Sequence, residues 1–325
     1  MKISAWRCFG IAACGIASAL ACAQTSDFPN RPVRIVVPSA PTGILDTVAR
    51  LLAPRMTETM AQNVIVENRP GAGTNIGTEI VSRAPGDGYT LLVQTNPLAV
   101  NPALYAKLPF DVQKDLAPVA LVLSGAPYLL VVHPSVPVKS VKELIALAKA
   151  KPGALAYSSG GYGTNIQTMG ELFKHLSRTD MLHVPYKGGG GALSALLSGE
   201  VAVTFFALGA VLPHVKDGRV RALATTGAKR AAALPALPTV AEAGVPGYEF
   251  TSWVGILAPG TTPAPIIAAL NGYVAKAARA SGLAERLANE GADVGATSPE
   301  QFRAHLKTET ARWSRVIKEI GMRAE

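Results

Sequence analysis

The chain has 325 residues, of which 49% are hydrophobic and 16% are charged, and its formal net charge at pH 7 is +9. This length exceeds the size at which one hydrophobic core keeps growing, so two domains are expected. The lysines and arginines are scattered among apolar residues instead of forming a stripe with interleaved aromatics, which disfavours nucleic-acid binding. A diffuse positive charge of this kind favours small anions as partners.

The first 23 residues are typical of a secretory signal peptide. Lys2 and Arg7 precede an apolar run over residues 8–20, and Ala21-Cys22-Ala23 supplies small residues for cleavage. We therefore expect a periplasmic protein whose mature chain begins at residue 24. Its net charge is +7, because Lys2 and Arg7 leave with the peptide and no acidic residue does.

All three cysteines, Cys8, Cys14 and Cys22, lie in this segment. The mature chain is therefore expected to have no disulfide, no thiol nucleophile and no cysteine metal ligand. A lipoprotein is an alternative, since residues 11–14 resemble a lipobox, but only six residues separate Arg7 from Cys14. No later segment offers the roughly 18 to 20 uninterrupted apolar residues that a membrane span needs.

The rest of the chain alternates short β-branched apolar runs with segments of helical periodicity. The predicted strands are 33–37, 64–67, 90–93, 129–132, 155–158, 181–184, 201–205, 222–224 and 255–258. The predicted helices between them are 46–60, 74–82, 141–151, 165–176, 192–198 and 212–216. This alternation predicts an α/β fold with parallel sheets covered on both faces.

Helix boundaries and the C-terminal tail carry their own signals. Capping-box patterns start at Ser140, Thr239 and Ser298, the last with a proline at the first helical position. Residues 235–246 are interpreted as an ordered connection containing a short helix. Residues 263–325 are predicted to be largely helical and to pack on the first sheet, through apolar positions at Ile267, Leu270, Val274, Phe302, Leu306, Trp313 and Ile317.

Two glycine-rich bends, residues 67–77 and 183–191, each run from a strand into a helix. The free N–H groups and dipole of a helix N-terminus favour a carboxylate or phosphate there. Small, polar loops also follow the strands ending near residues 37, 93 and 158, and ligands of open parallel sheets bind at such carboxyl ends. The candidate ligand-binding residues are Ser39, Thr42, Gly43, Asp46, Gly73, Asn75, Thr95, Asn96, Ser159, Gly161, Tyr162, Gly163, Thr164, Lys187 and Phe206.

Each of these residues also has a purely structural interpretation. Glycines after strands are common because tight turns need positive φ. Asp46 is most simply the N-terminal acid of its helix. Lys187 fits a solvated loop equally well, and core packing is the default for Phe206.

The sequence lacks the motifs of several common enzyme classes. Gly71-x-Gly73 has no glycine at the third position of the dinucleotide fingerprint, and neither a phosphate-binding P-loop nor a Gly-x-Ser-x-Gly elbow occurs. The five histidines lack metal-ligand spacing, and Glu171 with His175 is interpreted as a helix-face pair. We therefore expect a binding protein with no cofactor and no metal.

A series of motifs along the mature chain resembles the Bug receptors, which are the extracytoplasmic solute-binding (TctC-like) proteins of tripartite tricarboxylate transporters. The matching segments are 68–73, 87–92, 101–105, 183–188, 212–216, 221–224 and 238–244. The resemblance implies a type II periplasmic binding protein fold: two doubly wound lobes joined by crossover strands, closing on a small carboxylate. It implies lobe 1 at 24–125 plus 250–325, lobe 2 at 126–249, and integral membrane permease subunits as partners. We expect the receptor itself to be a monomer.

The chain departs from the pattern of this family at several candidate positions. Ser39, Thr42 and Leu45 replace the phenylalanine, first glycine and hydroxyl residue of the family's first loop, while Asp46 is kept. Tyr162 and Gln167 stand where the family usually has asparagine and histidine, and Phe206 replaces an aspartate. That aspartate contributes to ligand selection in relatives, so we expect a carboxylate with an apolar or aromatic body instead of an amino acid.

Two alternatives stay open at this point. The protein could be a ligand-sensing periplasmic protein that serves a membrane sensor kinase. It could also be an exported enzyme acting on a carboxylate, with Asp46 or His183 as base, although the sequence shows no residue paired with either to shift its pKa.

Overall fold

The computed structural model describes residues 28–41, 43–287 and 292–324. Its strands are β1 (Val33–Val37), β2 (Val64–Asn68), β3 (Thr90–Gln94), β4 (Leu116–Val132), β5 (Ala156–Ser159), β6 (Leu182–Pro185), β7 (Val203–Ala207), β8 (Arg221–Thr225), β9 (Thr251–Pro259) and β10 (Asp293–Val294). Its helices are α1 (Ile44–Met60), α2 (Asn75–Ser82), α3 (Pro97–Leu104), α4 (Val141–Ala150), α5 (Asn165–Ser177), α6 (Gly189–Leu197), α7 (Leu208–Lys216), α8 (Ala264–Ala280), α9 (Leu283–Leu287) and α10 (Pro299–Ile320). The predicted signal peptide lies outside the described residues.

The strands form a curled sheet in the order β2-β1-β3-β9-β4-β7-β5-β6, with β8 and β10 also paired to β4. Strand β4 changes partner midway: its residues from Leu116 to Pro127 pair with β9, and those from Tyr128 to Val132 pair with β7 and β8. The sheet therefore has two halves, each covered by its own helices, and β4 and β9 carry the chain between them. The predicted two-lobe α/β fold with crossover strands is confirmed.

The prediction of purely parallel sheets needs correction. Strands β1, β2 and β3 are parallel to one another, as are β5, β6 and β7. Strands β4 and β9 run antiparallel to their neighbours in both halves. The reason is topological, because each of them is a crossing segment that enters one lobe from the other.

The first lobe is covered on both faces, as its sequence pattern predicts. Along β1, the side chains of Ile35 and Val37 join one buried cluster while that of Val36 joins another, because successive residues of a strand point to opposite faces. Helices α1 and α8 pack together on one face, and α3 and α10 on the other. The C-terminal helices thus return to the first lobe, as expected.

Helix α10 shows why the tail folds back. Its predicted apolar positions Phe302, Leu306, Trp313 and Ile317 are all buried. Its first turn is held by a capping box, in which the Ser298 hydroxyl accepts from the Gln301 amide and the Gln301 side chain accepts from the Ser298 amide. The helix therefore starts where the sequence predicts.

Several predicted elements were wrong or incomplete. Thr239 and Glu242 form the reciprocal bonds of a capping box, yet the segment they open is only turns, so the predicted short helix within 235–246 is absent. Helix α3 and the first three-quarters of β4 were missed, because Pro97, Pro102, Pro118 and Pro127 interrupt their patterns. Helices α6 and α7 begin three or four residues earlier than predicted, at Gly189 and Leu208.

Candidate functional site

The loops at the carboxyl ends of the parallel strands face one another where the two lobes meet. A Cβ placed on Gly188, after β6, would lie 3.4 Å from the Cβ of Ala40, after β1. A Cβ placed on Gly73, after β2, would lie 3.2 Å from the Cα of Gly163, after β5. Loops of the first lobe therefore contact loops of the second at two separate points, and several candidate residues belong to these loops.

The loop after β1 contributes Ser39, Gly43 and Asp46. The Ser39 carbonyl accepts a hydrogen bond from the Asn68 side chain at 3.0 Å, which ties this loop to the end of β2. The Asp46 side chain is nearly buried and accepts from Arg50 Nε at 3.0 Å and from Asn68 Nδ2 at 2.9 Å. The carboxylate thus holds α1 against the β2 end. Thr42 lies outside the described residues.

The loop after β2 is built on left-handed backbone. Ala72, Gly73 and Thr74 all have positive φ, and the Gly73 carbonyl accepts from Asn101 Nδ2 at 2.8 Å. The same amide group donates to Asn75 Oδ1 at 2.8 Å. This loop is therefore fixed on α3 before any solute arrives.

Thr95 and Asn96, after β3, contact the crossing strand β9. The Thr95 hydroxyl lies 3.0 Å from that of Ser252, and Asn96 Nδ2 donates to the Thr251 carbonyl at 3.0 Å. Asn165, at the start of α5 in the second lobe, donates to the same Ser252 hydroxyl at 3.4 Å. These buried polar groups therefore link both lobes to strand β9.

The loop after β5 holds Ser159, Gly161, Tyr162, Gly163 and Thr164. The Ser159 hydroxyl lies 2.6 Å from His183 Nε2 on β6 and accepts from the Gly161 amide at 3.1 Å. Thr164 closes the turn by donating to the Gly161 carbonyl at 2.7 Å. The Tyr162 ring packs edge-on against that of His183. The loop is therefore a rigid platform.

Tyr157 supports this platform from within the second lobe. Its ring stacks on His183 with centroids 5.0 Å apart, and its hydroxyl donates to Glu171 Oε1 at 2.5 Å. Burial, and then the adjacent Glu171 carboxylate, raise the pKa of the Tyr157 hydroxyl well above its usual range. The hydroxyl therefore stays protonated and keeps its role as a donor.

Lys187 and Phe206 complete the wall of the second lobe. Lys187 is exposed, beside Gly188, which precedes the first residue of α6. The half-buried Phe206 ring would lie 3.6 Å from a Cβ placed on Gly189, so it covers the N-terminus of α6 with an apolar surface. Helices α1, α5 and α6 have no side-chain cap at the junction. Away from it, α4 and α10 are capped by Ser140 and Ser298, and α8 follows Pro263 without a side-chain cap.

Three buried residues of the junction were missed by sequence reasoning. Asn101, Asn165 and Ser252 hold the loops together, and the side-chain oxygens of Asn101 and Asn165 have no hydrogen-bond partner among the described residues. Only the Asn-Pro motif at Asn101 could have drawn attention to that position. Within the same described ranges, no group of histidine, cysteine, aspartate and glutamate has the geometry of a metal site.

The fold and this junction define a two-lobed periplasmic-binding-protein-like solute receptor. Residues 48–322 match the model of the tripartite tricarboxylate transporter family receptor, and the chain belongs to that family. It is 36% identical to protein BugT of Bordetella pertussis over 313 residues, which cover 96% of this chain and 95% of BugT. The family is one of solute-binding receptors.

Two solved structures carry solutes. Rpa4515 of R. palustris with adipate has a TM-score of 0.86 and 38% identity, and the match covers 92% of this chain and 100% of that one. MatC (Rpa3494) of Rhodopseudomonas palustris with bound malate has a TM-score of 0.84 and 33% identity, over 89% of this chain and 100% of that one. In the described part of this chain, no helix is both long and apolar enough for a membrane crossing.

Proposed function

We propose that this protein is an extracytoplasmic receptor that captures a small carboxylate between its lobes and delivers it to the permease subunits of a tripartite transporter. The observation that carries the proposal is that helices from both lobes, among them α1, α5 and α6, begin at the junction without a side-chain cap. The amides and dipoles of helix N-termini favour a carboxylate without a buried arginine. The adipate and malate bound by two relatives support this ligand class.

The proposal includes the cellular and structural setting. Residues 1–23 would direct export to the periplasm, and the mature receptor would act as a monomer. The lobes would comprise 24–125 plus 250–325 and 126–249, since β4 and β9 change lobes close to these points. The ligand contacts would come from the candidate residues, with Asp46 acting through the position of its loop.

The Phe206 ring narrows the ligand class. It presents an apolar surface beside the α6 N-terminus. An aspartate at this position, as in the family pattern, would accept hydrogen bonds from the ammonium group of an amino acid, and Phe206 cannot. We therefore propose that the solute carries an apolar or aromatic body next to its carboxylate. An amino acid would bring an ammonium group into a wall that offers it no carboxylate.

A thermal-shift titration of residues 24–325 against mono-, di- and tricarboxylates, including aromatic ones, tests the proposal. A solute that binds only the native state raises the melting temperature by mass action. We expect a dose-dependent rise for at least one chemical group of carboxylates. The absence of a rise across the panel would contradict the receptor assignment.

Two charge variants test where the solute binds. Phe206→Asp puts a negative charge beside the α6 N-terminus, whereas Leu182→Asp puts the same charge on an exposed position of edge strand β6. Like-charge repulsion at a few ångströms is worth enough to weaken carboxylate binding by about tenfold or more in the first variant. Leu182→Asp should leave the affinity unchanged. Equal effects of the two variants would place the solute elsewhere.

A further inference from the structure

Two glycines on opposite lobes meet with no room for a side chain. Gly73 has φ +60°, and a Cβ there would overlap the Tyr162 carbonyl oxygen. Gly163 has φ +72°, and a Cβ there would lie 2.8 Å from Asn101 Oδ1 and 3.2 Å from Tyr105 Cε2. Each lobe thus presents main chain to the other at this point, at a distance that only glycine permits.

Helix α3 forms the floor beneath both glycines. Tyr105, at the end of the helix, places its hydroxyl 2.9 Å from the Cβ position of Gly73 and 3.2 Å from that of Gly163. Asn101, one turn earlier, is 1% exposed and donates to the Gly73 carbonyl at 2.8 Å. Burial raises the pKa of the Tyr105 hydroxyl, which keeps it neutral in this contact. The floor is therefore uncharged and its side chains are held in place.

We propose that Gly73, Asn101, Tyr105, Tyr162 and Gly163 form an interlobe latch that populates the closed arrangement before a solute binds. All of these atoms belong to the protein, so the van der Waals contact that they make in the closed form does not depend on which solute binds. The apparent Kd for a solute is the intrinsic Kd of the closed form divided by the fraction of molecules that are already closed. A receptor that is largely closed without solute therefore binds with nearly its intrinsic affinity. The latch goes beyond the proposed function, since it concerns the equilibrium without solute.

The latch is tested by the distance between the lobes in the absence of any solute. The chain after residue 23 has no cysteine, so spin labels on Glu58→Cys of α1 and Ser194→Cys of α6, both exposed, report on one lobe each. We expect electron–electron resonance to give mainly the short distance of the closed structure. Gly163→Ala should lower the ratio of closed to open molecules about tenfold, because overpacking of this size costs about 1–3 kcal/mol.

Gly218→Ala is the matched control. Gly218 has φ +70°, close to that of Gly163, but no atom lies within 4 Å of its Cβ position. The control therefore carries the same backbone penalty without a contact between the lobes, and its distance distribution should equal that of the parent. Thermal unfolding of both variants separates opening from loss of the fold.

A deletion in the floor gives an independent readout. Tyr105→Ala removes the ring on which both glycines rest and adds no backbone strain, so it should open the lobes as Gly163→Ala does. The proposal is overturned if the parent protein is mainly open without solute. It is also overturned if neither Gly163→Ala nor Tyr105→Ala shifts the distance distribution relative to Gly218→Ala. Because the readout uses no solute, failure to find a carboxylate ligand would leave this test intact.

Discussion

Gly170→Ala and Gly272→Ala add the same methyl group to the interior of two helices and should differ clearly in stability. Gly272 on α8 is exposed, and no atom lies within 4 Å of its Cβ position. A Cβ on Gly170 of α5 would overlap Tyr157 Cε2 and lie 2.7 Å from Cζ and 2.9 Å from Cδ2. The Tyr157 ring cannot retreat, because it is fully buried, stacked on His183 and bonded to Glu171.

The magnitudes follow from two opposing terms. Replacing glycine with alanine inside a helix gains about 1 kcal/mol in either helix. Overpacking at Gly170 costs about 1–3 kcal/mol. Gly272→Ala should therefore be about 1 kcal/mol more stable than the parent, and Gly170→Ala should range from no gain to a loss of about 2 kcal/mol.

Urea unfolding followed by circular dichroism measures both variants on the same scale. The expected result is a higher midpoint for Gly272→Ala and an unchanged or lower midpoint for Gly170→Ala, with equal slopes. Equal stabilisation by the two substitutions would refute the reasoning, because it would mean that the Tyr157 ring moves aside without cost. The platform formed by the β5 loop would then not be rigid.

Three further outcomes are expected from local contacts. Ser298→Ala should lower the free energy of unfolding by about 1 kcal/mol, because it removes the α10 cap. The control Ser194→Ala, inside α6, should not lower it. Equal urea midpoints of the two variants would contradict this expectation. Gly255→Ala should destabilise by about 1–3 kcal/mol, since its Cβ would lie 2.5 Å from Cε1 of Phe302, and an unchanged midpoint would refute the contact. Burial lowers the pKa of His305 below its value of about 6.5 in the unfolded chain. The folded protein should therefore be more stable above pH 6.5, and this extra stability should be lost as the pH falls through the pKa of the folded state. His305→Gln should flatten this slope in thermal unfolding, and identical slopes would contradict the assignment.

The elements with a continuous local signal were predictable from the sequence. Strand β1 has the predicted bounds, Val33–Val37, because all of its residues except Arg34 are β-branched. Helix α10 was found from its capping box and the spacing of Phe302, Leu306, Trp313 and Ile317. In both, neighbouring residues alone determine the structure.

Elements that depend on distant partners were not predictable. The first part of β4 contains Pro118, Gly125 and Pro127, and it is a strand only because β9 pairs with it across register shifts. Helix α3 is interrupted by Pro102 and is held between α10 and the loop after β2. These contacts join residues far apart in the sequence, so local sequence patterns could not predict either element.

In the candidate site, too, some residues could be predicted from the sequence and others could not. The loops at the strand ends were predicted from their glycines and hydroxyls, and they do meet at the junction of the lobes. The residues that hold them, Asn101, Asn165 and Ser252, come from segments distant in sequence. Their roles needed the tertiary structure, as did the contact between Gly73 and Gly163.

The central claim is that the junction between the lobes takes a carboxylate with an apolar body. Isothermal titration of residues 24–325 with adipate, benzoate and glutarate, and with glutamate as the amino-acid counterpart of glutarate, tests it most directly. The account predicts saturable binding of one solute per chain for at least one of the three carboxylates, more tightly than glutamate. Tighter binding of glutamate than of all three, or no saturable heat with any of them, would contradict it.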